Sequence, residues 1–276
     1  MKSITFLKDE FNPYKKPLLK VKNIGNNKPM KVYIQNDFNQ LEDDWLFSAY
    51  LGAKKLGMDI IFFKEDEVDS IPKNQFVIAF VETTIKYFEL NGIKYPTPLN
   101  IPEELKKYAK RETKNAYLSD IISYPEIYKF PLFIKPANKL KACPSGVVKE
   151  GTHANLMLLF SDVKNKTMLV ETSPVVSMES EYRAFINKGE IVGLKHYSGS
   201  FVLFPDISII KNMIKDYTSS PISYTLDVAI TDKNDTILVE CNDAWSIGSY
   251  GLDEKVYIRL LIDRWKELIN VSNNKS

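Results

Sequence analysis

Short apolar runs and amphipathic stripes alternate along the first hundred residues and indicate a small α/β lobe. Strands are predicted at Lys31–Gln35, Asp59–Lys64 and Phe76–Val81, because each is a short run rich in β-branched and aromatic residues. Between the first two, residues 40–56 carry apolar side chains at helical spacing. Alternating strands and helices favour a parallel sheet. The first thirty residues show no clear period and predict an irregular arm.

The pattern changes after a proline-punctuated stretch, residues 95–102, which we interpret as a linker. Beyond it, strands occur in pairs joined by polar turns, and a helix with one apolar face closes the chain. The paired strands are Pro131–Lys135 with Gly146–Lys149, Glu181–Ile186 with Glu190–Tyr197, and Ser223–Thr231 with Thr236–Asn242. Hairpins covered by helices make this half α+β. The predicted division is an N-terminal α/β lobe over residues 1–100 and a second domain over residues 101–276.

The composition limits the chemistry that this chain can perform. Its 276 residues suffice for a sizeable core, and 37 basic against 35 acidic residues leave a net charge of +2. That balance argues against a protein built to coat nucleic acid, although stacking of single-stranded bases on its 15 Tyr and 15 Phe stays an alternative. Two His and two Cys leave few routes to zinc or nucleophilic chemistry. Carboxylates, lysines, arginines and a bound cofactor must therefore carry most of any reaction.

The cysteines and the N-terminal residues predict the cellular compartment of the protein. Cys143 and Cys241 lie far apart in sequence, so we expect free thiols in a reducing compartment. Acidic residues interrupt the first ten positions, where a signal peptide needs an apolar run. The apolar runs are too short to span a bilayer. We expect a cytoplasmic protein that does not bind membranes.

Two carboxylates are predicted to face each other in the hairpin formed by residues 224–242. A two-residue turn at Lys233-Asn234 places Asp227 opposite Glu240. The other face then pairs only apolar residues, namely Leu226 with Cys241, Val228 with Val239, and Ile230 with Ile237. Facing carboxylates repel unless a proton or a cation lies between them. Together with Asn242 they form an all-oxygen ligand set that favours Mg²⁺ over zinc, the alternative being a solvated polar face.

A phosphate-binding segment is predicted where an apolar strand ends at Lys135. The loop that follows supplies Lys141, Ser145 and Gly146, and such a set of donors suits phosphate oxygens. Strand ends often carry exposed lysines, so this segment alone does not indicate a phosphate site. The prediction depends on the carboxylates that follow later in the chain.

Four further residues are candidates for substrate or nucleotide contact. The strand that reaches Glu171 runs into a Pro-containing connector whose backbone groups can bond a planar base, and Glu179 can bond ribose hydroxyls. We assign Lys195 to a substrate or phosphate contact. Trp245 fits either stacking on a substrate or packing at the junction of the lobes.

In this order the segments resemble the ATP-grasp superfamily, and in detail its phage and bacterial clade named for two arginines and a lysine. The resemblance covers about residues 111–251 and is carried by Phe133-Ile-Lys135-Pro136-Ala137, Glu181-Tyr-Arg183-Ala-Phe185, Leu226-Asp227-Val228 and Val239-Glu240-Cys-Asn242. Arg183 and Lys135 match the second arginine and the lysine, and Arg111 is the best match to the first. The N-terminal lobe agrees in architecture alone.

The resemblance implies an ATP-grasp fold in which two antiparallel sheets, in a small subdomain of about residues 111–170 and a large one of about 171–270, clasp ATP. It implies ATP and Mg²⁺ as cofactors, with phosphates held by Lys135, Lys141, Ser145 and Gly146, adenine by Glu171, Thr172 and Val175, ribose by Glu179, and Mg²⁺ by Asp227, Glu240 and Asn242. The catalytic groups are then Arg183, Lys195 and Arg111.

The implied reaction joins a small-molecule or peptide carboxylate to an amine. An acyl phosphate forms from the carboxylate, the amine attacks it, and an amide, ADP and phosphate are released. The phosphate loop departs from the family pattern, because Cys143-Pro-Ser-Gly146 supplies a single glycine. A nucleotide-binding interaction protein with weak or no ligase activity therefore stays open as the alternative.

Overall fold

The computed structural model describes residues 29–37, 41, 43–138 and 142–273. Nearly all of the predicted N-terminal arm and the predicted phosphate ligand Lys141 lie outside the described residues. Within the described ranges, no helix is both long enough and apolar enough to cross a bilayer. The prediction of free thiols is confirmed, since both cysteines are unpaired and buried.

Helices and strands alternate first and then give way to hairpins, as the sequence predicts. The helices are α1 (Asp44–Lys55), α2 (Val81–Leu90), α3 (Lys106–Ala109), α4 (Leu118–Ser123), α5 (His153–Leu159), α6 (Ile207–Asp216) and α7 (Glu254–Asn273). The strands are β1 (Lys31–Gln35), β2 (Asp59–Phe63), β3 (Phe76–Ile78), β4 (Lys114–Tyr117), β5 (Leu132–Pro136), β6 (Gly146–Val148), β7 (Leu169–Pro174), β8 (Met178–Asn187), β9 (Glu190–Gly199), β10 (Ser223–Thr231) and β11 (Thr236–Asp243).

The N-terminal lobe is built from both ends of the chain. Its sheet is parallel in the order β2-β1-β3, as predicted. Helix α7 packs along α1 and buries an apolar face, including Ile258 and Trp265, in the same core. A side chain at Gly52 of α1 would collide with the carbonyl oxygen of Glu254, so this glycine permits the close approach of the two helices. The predicted second domain of residues 101–276 thus contains in sequence a helix that belongs in space to the first lobe.

Two further sheets, each four-stranded and antiparallel, follow the N-terminal lobe, and they confirm the predicted ATP-grasp architecture. The small sheet has the order β4-β7-β5-β6 and the large sheet the order β11-β10-β8-β9. Every predicted hairpin forms within one of them. The predicted subdomain boundary near residue 170 falls inside β7, because β7 pairs with β5 as far as Pro174. The small sheet therefore ends at Pro174, several residues later than predicted.

The proline-punctuated linker crosses between the two sheets and bonds to both. The backbone oxygen of Asn100 accepts from the amide of Cys241 in β11 at 2.6 Å. The side-chain amide of the same residue donates to the oxygen of Ala137, just beyond β5, at 2.9 Å. A left-handed backbone, with φ of 50°, lets Asn100 face both partners. One residue thus fixes the end of a small-sheet strand beside a large-sheet strand.

Candidate active site

A row of four charged residues crosses the large sheet in register. Glu240 on β11 lies opposite Asp227 on β10, which lies opposite Arg183 on β8, which lies opposite Lys195 on β9. Cross-strand partners on one face of a sheet are in side-chain contact range. The row therefore carries its two anions on one half of the sheet and its two cations on the other.

The two central members of the row form a buried, bidentate ion pair. Nε of Arg183 donates to Oδ1 of Asp227 at 2.7 Å, and a terminal nitrogen donates to Oδ2 at 2.6 Å. The ring of Tyr250 lies over the guanidinium, 4.4 Å from its central carbon, and holds its plane. Burial raises the pKa of Asp227, and the bonds from Arg183 oppose that shift. Burial alone would lower the pKa of Arg183, but its bonds to Asp227 more than offset this and raise it.

The predicted pairing of Asp227 with Glu240 is confirmed, although the hairpin differs on both sides of it. Thr231 bonds to Asp235 across a three-residue turn, not a two-residue one, in which Asn234 adopts a left-handed φ of 59°. The turn shifts the register by one residue, and a bulge at Val239 shifts it back before Glu240. The predicted pairs of Val228 with Val239 and of Ile230 with Ile237 are wrong for this reason; their partners are Leu238 and Thr236.

Arg111 reaches into the large sheet at this bulge. Its guanidinium donates to the backbone oxygens of Leu238 at 2.9 Å and Val239 at 2.7 Å. These are charge-assisted bonds to two successive carbonyl groups at the bulge, on the edge strand of the sheet. Burial lowers the pKa of Arg111, while the nearby Glu171 and Glu240 counteract the shift. The residue predicted as the first family arginine therefore supports the strand from which Glu240 projects.

The predicted ligands of Mg²⁺ lie together. The side-chain amide of Asn242 contacts Oδ2 of Asp227 and Oε1 of Glu240, each at 3.2 Å. The assignment of amide nitrogen and oxygen follows the local hydrogen bonds, so a rotated amide presents an oxygen to the same space. Among the described residues no group of three or more His, Cys, Asp or Glu could hold a metal ion. Two carboxylates plus an amide oxygen, with phosphate oxygens and water completing the shell, nevertheless fit the chemistry of Mg²⁺.

Lys135 projects from the small sheet and contacts a carboxylate from each sheet. Its Nζ lies 3.2 Å from Oε2 of Glu240 on β11 and 3.4 Å from Oε1 of Glu171 on β7. The lysine side chain is only 10% exposed, so this ammonium is screened less than a surface charge would be. Glu171, predicted beside adenine, thus has its carboxylate next to the predicted phosphate-binding lysine.

A cavity of about 460 Å³ lies between the two sheets. Seven of its lining residues were predicted as site residues: Arg111, Lys135, Ser145, Glu171, Val175, Asp227 and Glu240. Apolar side chains such as Phe133, Val147 and Met178 form other parts of its wall. A mostly apolar cleft with a few convergent charges is the usual form of a small-molecule site.

Other predicted residues lie at the edge of this cleft or away from it. Thr172 points the other way and donates to the oxygen of Lys114. Glu179 is exposed and accepts from Ser177. Gly146 is a strand residue of β6, between two residues that line the cavity. Lys195 makes no ion pair within the part of the chain that the structure describes.

Sequence reasoning did not assign a site role to Glu181 or Tyr197, although both line the cavity. The hydroxyl of Tyr197 donates to Glu181 at 3.0 Å. Burial, together with the nearby carboxylates, raises the pKa of this tyrosine. The alternation of β8 is a signal for Glu181, which lies two residues before Arg183 and so on the same face. Tyr197 is the extra residue at a bulge in β9, which the sequence does not reveal.

A second cavity of about 200 Å³ adjoins the first and shares Lys135, Ser145 and Glu240 with it. Asn242 lines it, as do the linker around Asn100 and the segment that follows β11. A molecule bound there would touch the same lysine and carboxylate as a molecule in the larger cleft.

Comparisons with known proteins agree with this architecture. The family model described as ATP-grasp domain, R2K clade family 2, matches residues 108–260, which is more than half of the chain. No curated protein matches the sequence.

Solved ATP-grasp structures share the fold at low sequence identity. A D-cycloserine synthetase, DcsG, superposes with a TM-score of 0.58 and 9% identity, over 86% of this chain and 99% of its own. D-alanine–D-alanine ligase from Bacillus anthracis gives 0.54 and 11%, over 90% and 100%. An L-amino acid ligase from Bacillus licheniformis gives 0.53 and 12%, over 87% and 76%. The fold and the family match together establish that the chain belongs to the ATP-grasp superfamily, in family 2 of the R2K clade.

Proposed function

We propose that the protein is an ATP-dependent carboxylate–amine ligase that forms an amide or peptide-type bond through an acyl phosphate and releases ADP and phosphate. The observation that carries the proposal is the charged row of Glu240, Asp227, Arg183 and Lys195. Its two carboxylates line the cleft between the sheets, and its two cations follow on the strands behind them and are not among the lining residues. Phosphoryl transfer needs positioned charge more than a nucleophilic side chain, and this row offers both signs within one rigid sheet. The substrates would be small-molecule or peptide carboxylates and amines.

The nucleotide is proposed to lie in the cavity between the sheets. Lys135 would contact its phosphates from the small-sheet side, with Ser145 and the amide of Gly146 beside it and Lys141 in the same loop. The connector at Val175 would face the base, and Phe133 and Val147 supply apolar wall for a planar ring. The side chain of Thr172 donates to the oxygen of Lys114 and that of Glu179 accepts from Ser177, so each would have to exchange this partner to contact the nucleotide.

Asp227, Glu240 and Asn242 would hold Mg²⁺, which when bound supplies positive charge to phosphate oxygens. Lys135 contacts one oxygen of Glu240 in the structure, which keeps a cation at this carboxylate. The paired carboxylates are held 3.2 Å from one amide group, so little reorganisation of these side chains is needed to present three oxygens together.

Arg183 is proposed to stabilise the phosphoryl group in transit. Of the five N–H donors of an arginine, Asp227 takes two, which leaves three for anionic oxygens. The stacked ring of Tyr250 and the bidentate pair fix the guanidinium plane in advance. Lys195, next along the row, would add a second positive charge, and Arg111 would position the bulge that carries Glu240.

Calorimetry with ATP and Mg²⁺, followed by ADP release on a panel of amino acids and short peptides, tests the proposal. We expect Glu240→Gln to abolish turnover, whereas Glu254→Gln, which removes a carboxylate from an exposed ion pair with Lys55, leaves it unchanged. Failure of the wild-type protein to bind nucleotide would sink the proposal. Nucleotide binding without turnover on the whole panel would instead support the interaction-module alternative.

A further inference from the structure

A third cavity, of about 310 Å³, lies where the N-terminal lobe meets the segment that follows β11. Residues 76–81, which comprise β3 and the start of α2, form one wall, residues 245–248 form another, and α7 forms a third. The chain has three tryptophans, and all of them line this cavity: Trp45, Trp245 and Trp265. We refer to it below as the tryptophan cavity.

The walls of the tryptophan cavity are apolar and aromatic. Phe80 packs edge-on against Trp45 with the ring centroids 5.7 Å apart, and Phe76 packs similarly against Trp265 at 5.6 Å. Of its described lining residues, Asp43 alone carries a charge. An apolar protein cavity of about 150 Å³ already admits benzene, so this cavity is roughly twice as large as a single aromatic ring requires.

One wall residue has an unpaired polar atom. Trp265 is 3% exposed, and its Nε1–H donor has no acceptor among the described residues. This donor is itself buried, so the surface that the cavity presents to a ligand is mostly apolar.

The tryptophan cavity adjoins the second cavity. Trp245 and Ser246 line both of them, and the second cavity is also lined by Lys135, Glu240 and Asn242. A small molecule that spans the two cavities would place its apolar part among the tryptophans and its reacting group beside the charged residues.

We infer that the tryptophan cavity is the side-chain pocket for one of the two substrates, an amino acid with an apolar side chain of the size of leucine or phenylalanine. The assignment to a substrate rests on the proposed function, but the binding itself does not. An amino acid carries both a carboxylate and an amine, so the class holds whichever of the two reacts. A polar side chain is rejected, because these walls supply almost no partners for it.

The three tryptophans give a direct assay, because every tryptophan in the protein reports from this cavity. Both enantiomers of leucine and phenylalanine are titrated against intrinsic tryptophan fluorescence, with and without ADP and Mg²⁺, beside serine and glutamate as polar comparators. We expect a saturable change for at least one apolar probe and an affinity at least tenfold lower for serine and glutamate.

Filling the cavity tests the location. Ala79 lines it, and Ala79→Phe is expected to weaken binding of the apolar probe at least tenfold while leaving calorimetric ADP binding unchanged. Ala116→Phe is the matched control, since Ala116 lines a separate cavity on the small sheet. Circular dichroism checks folding, and Ala79→Leu replaces the larger substitution if that variant does not fold. Equal affinity of wild type and the filled variant would overturn the inference.

The outcomes separate this inference from the proposed function. Apolar probes that bind without any ADP release would support the pocket and contradict the ligase. Turnover with polar amino acids that Ala79→Phe leaves unchanged would support the ligase and overturn the pocket. No saturable change with any of the four apolar titrants, with or without nucleotide, would also overturn it.

Discussion

Replacement of Arg111 tests whether the bulge at Val239 sets the geometry of the proposed metal site. Arg111→Lys retains the charge but loses the fork that reaches two carbonyl oxygens, whereas Arg111→Met loses both. A hydrogen bond that involves a charged group contributes about 1.5–3 kcal/mol. Of the two acceptors, Val239 lines the cleft, where water can replace part of the lost bond, whereas Leu238 is buried. We therefore assign about 2–3 kcal/mol to the pair of bonds, less than their sum.

That magnitude predicts a change large enough to measure. If the loss of these bonds misaligns Asp227 and Glu240, the same free energy is lost from nucleotide binding. The affinity for ADP with Mg²⁺ then falls about 30- to 150-fold in both variants. Calorimetry measures the affinity, and amide hydrogen exchange at Val239 and Glu240 should become faster. Arg259→Met is the control, because Arg259 lies on α7 and makes no hydrogen bond or ion pair with any described residue.

The lysine variant distinguishes the two roles open to Arg111. A residue that acts only through its positive charge on phosphates would tolerate lysine, whereas a residue that supports the bulge would not. Binding by Arg111→Lys within about threefold of wild type, with unchanged exchange rates, would refute the positioning role.

Three further predictions concern other contacts. Arg183→Met leaves the buried carboxylate of Asp227 without its ion-pair partner. The free energy of unfolding, measured by urea denaturation, should fall by about 3–5 kcal/mol, and a loss below about 1 kcal/mol would contradict this. Burial raises the pKa of both cysteine thiols, so at pH 8 less thiolate forms than in the unfolded chain. Mass spectrometry should show that iodoacetamide modifies Cys143 and Cys241 far more slowly in native protein than in urea. Asn100→Gly keeps the left-handed backbone but loses the bond to the small sheet, and should cost about 0.5–1.5 kcal/mol by thermal denaturation, whereas an unchanged midpoint would contradict that bond.

The proposed metal hairpin illustrates what local sequence can predict. The alternation of polar and apolar residues, which puts apolar pairs on one face of the hairpin, predicts that Asp227 lies opposite Glu240. The structure confirms this pair. The prediction assumed a two-residue turn and no bulge, and these two errors cancel at the site. Neither is visible locally, because the bulge is stabilised by Arg111, more than a hundred residues away.

Long-range packing accounts for most of what the sequence could not supply. Hairpins follow from turns and alternation, but the adjacency of β8 and β10, which joins Arg183 to Asp227, has no local signature. The apolar face of α7 predicts that this helix is buried, but it does not predict which lobe the helix packs against. The small edge strand β4 was missed, since its residues are mostly polar or exposed and lack the strand pattern.

The double attachment of Asn100 has a mechanical consequence for any opening of the cleft. Its bonds hold Ala137 of one sheet and Cys241 of the other at fixed distances from a single residue. A rotation of the small sheet about that point preserves both bonds, whereas a sliding displacement breaks at least one of them. If the small sheet rotates about Asn100, the mouth of the cleft widens while Lys135, two residues before Ala137, stays beside the carboxylates.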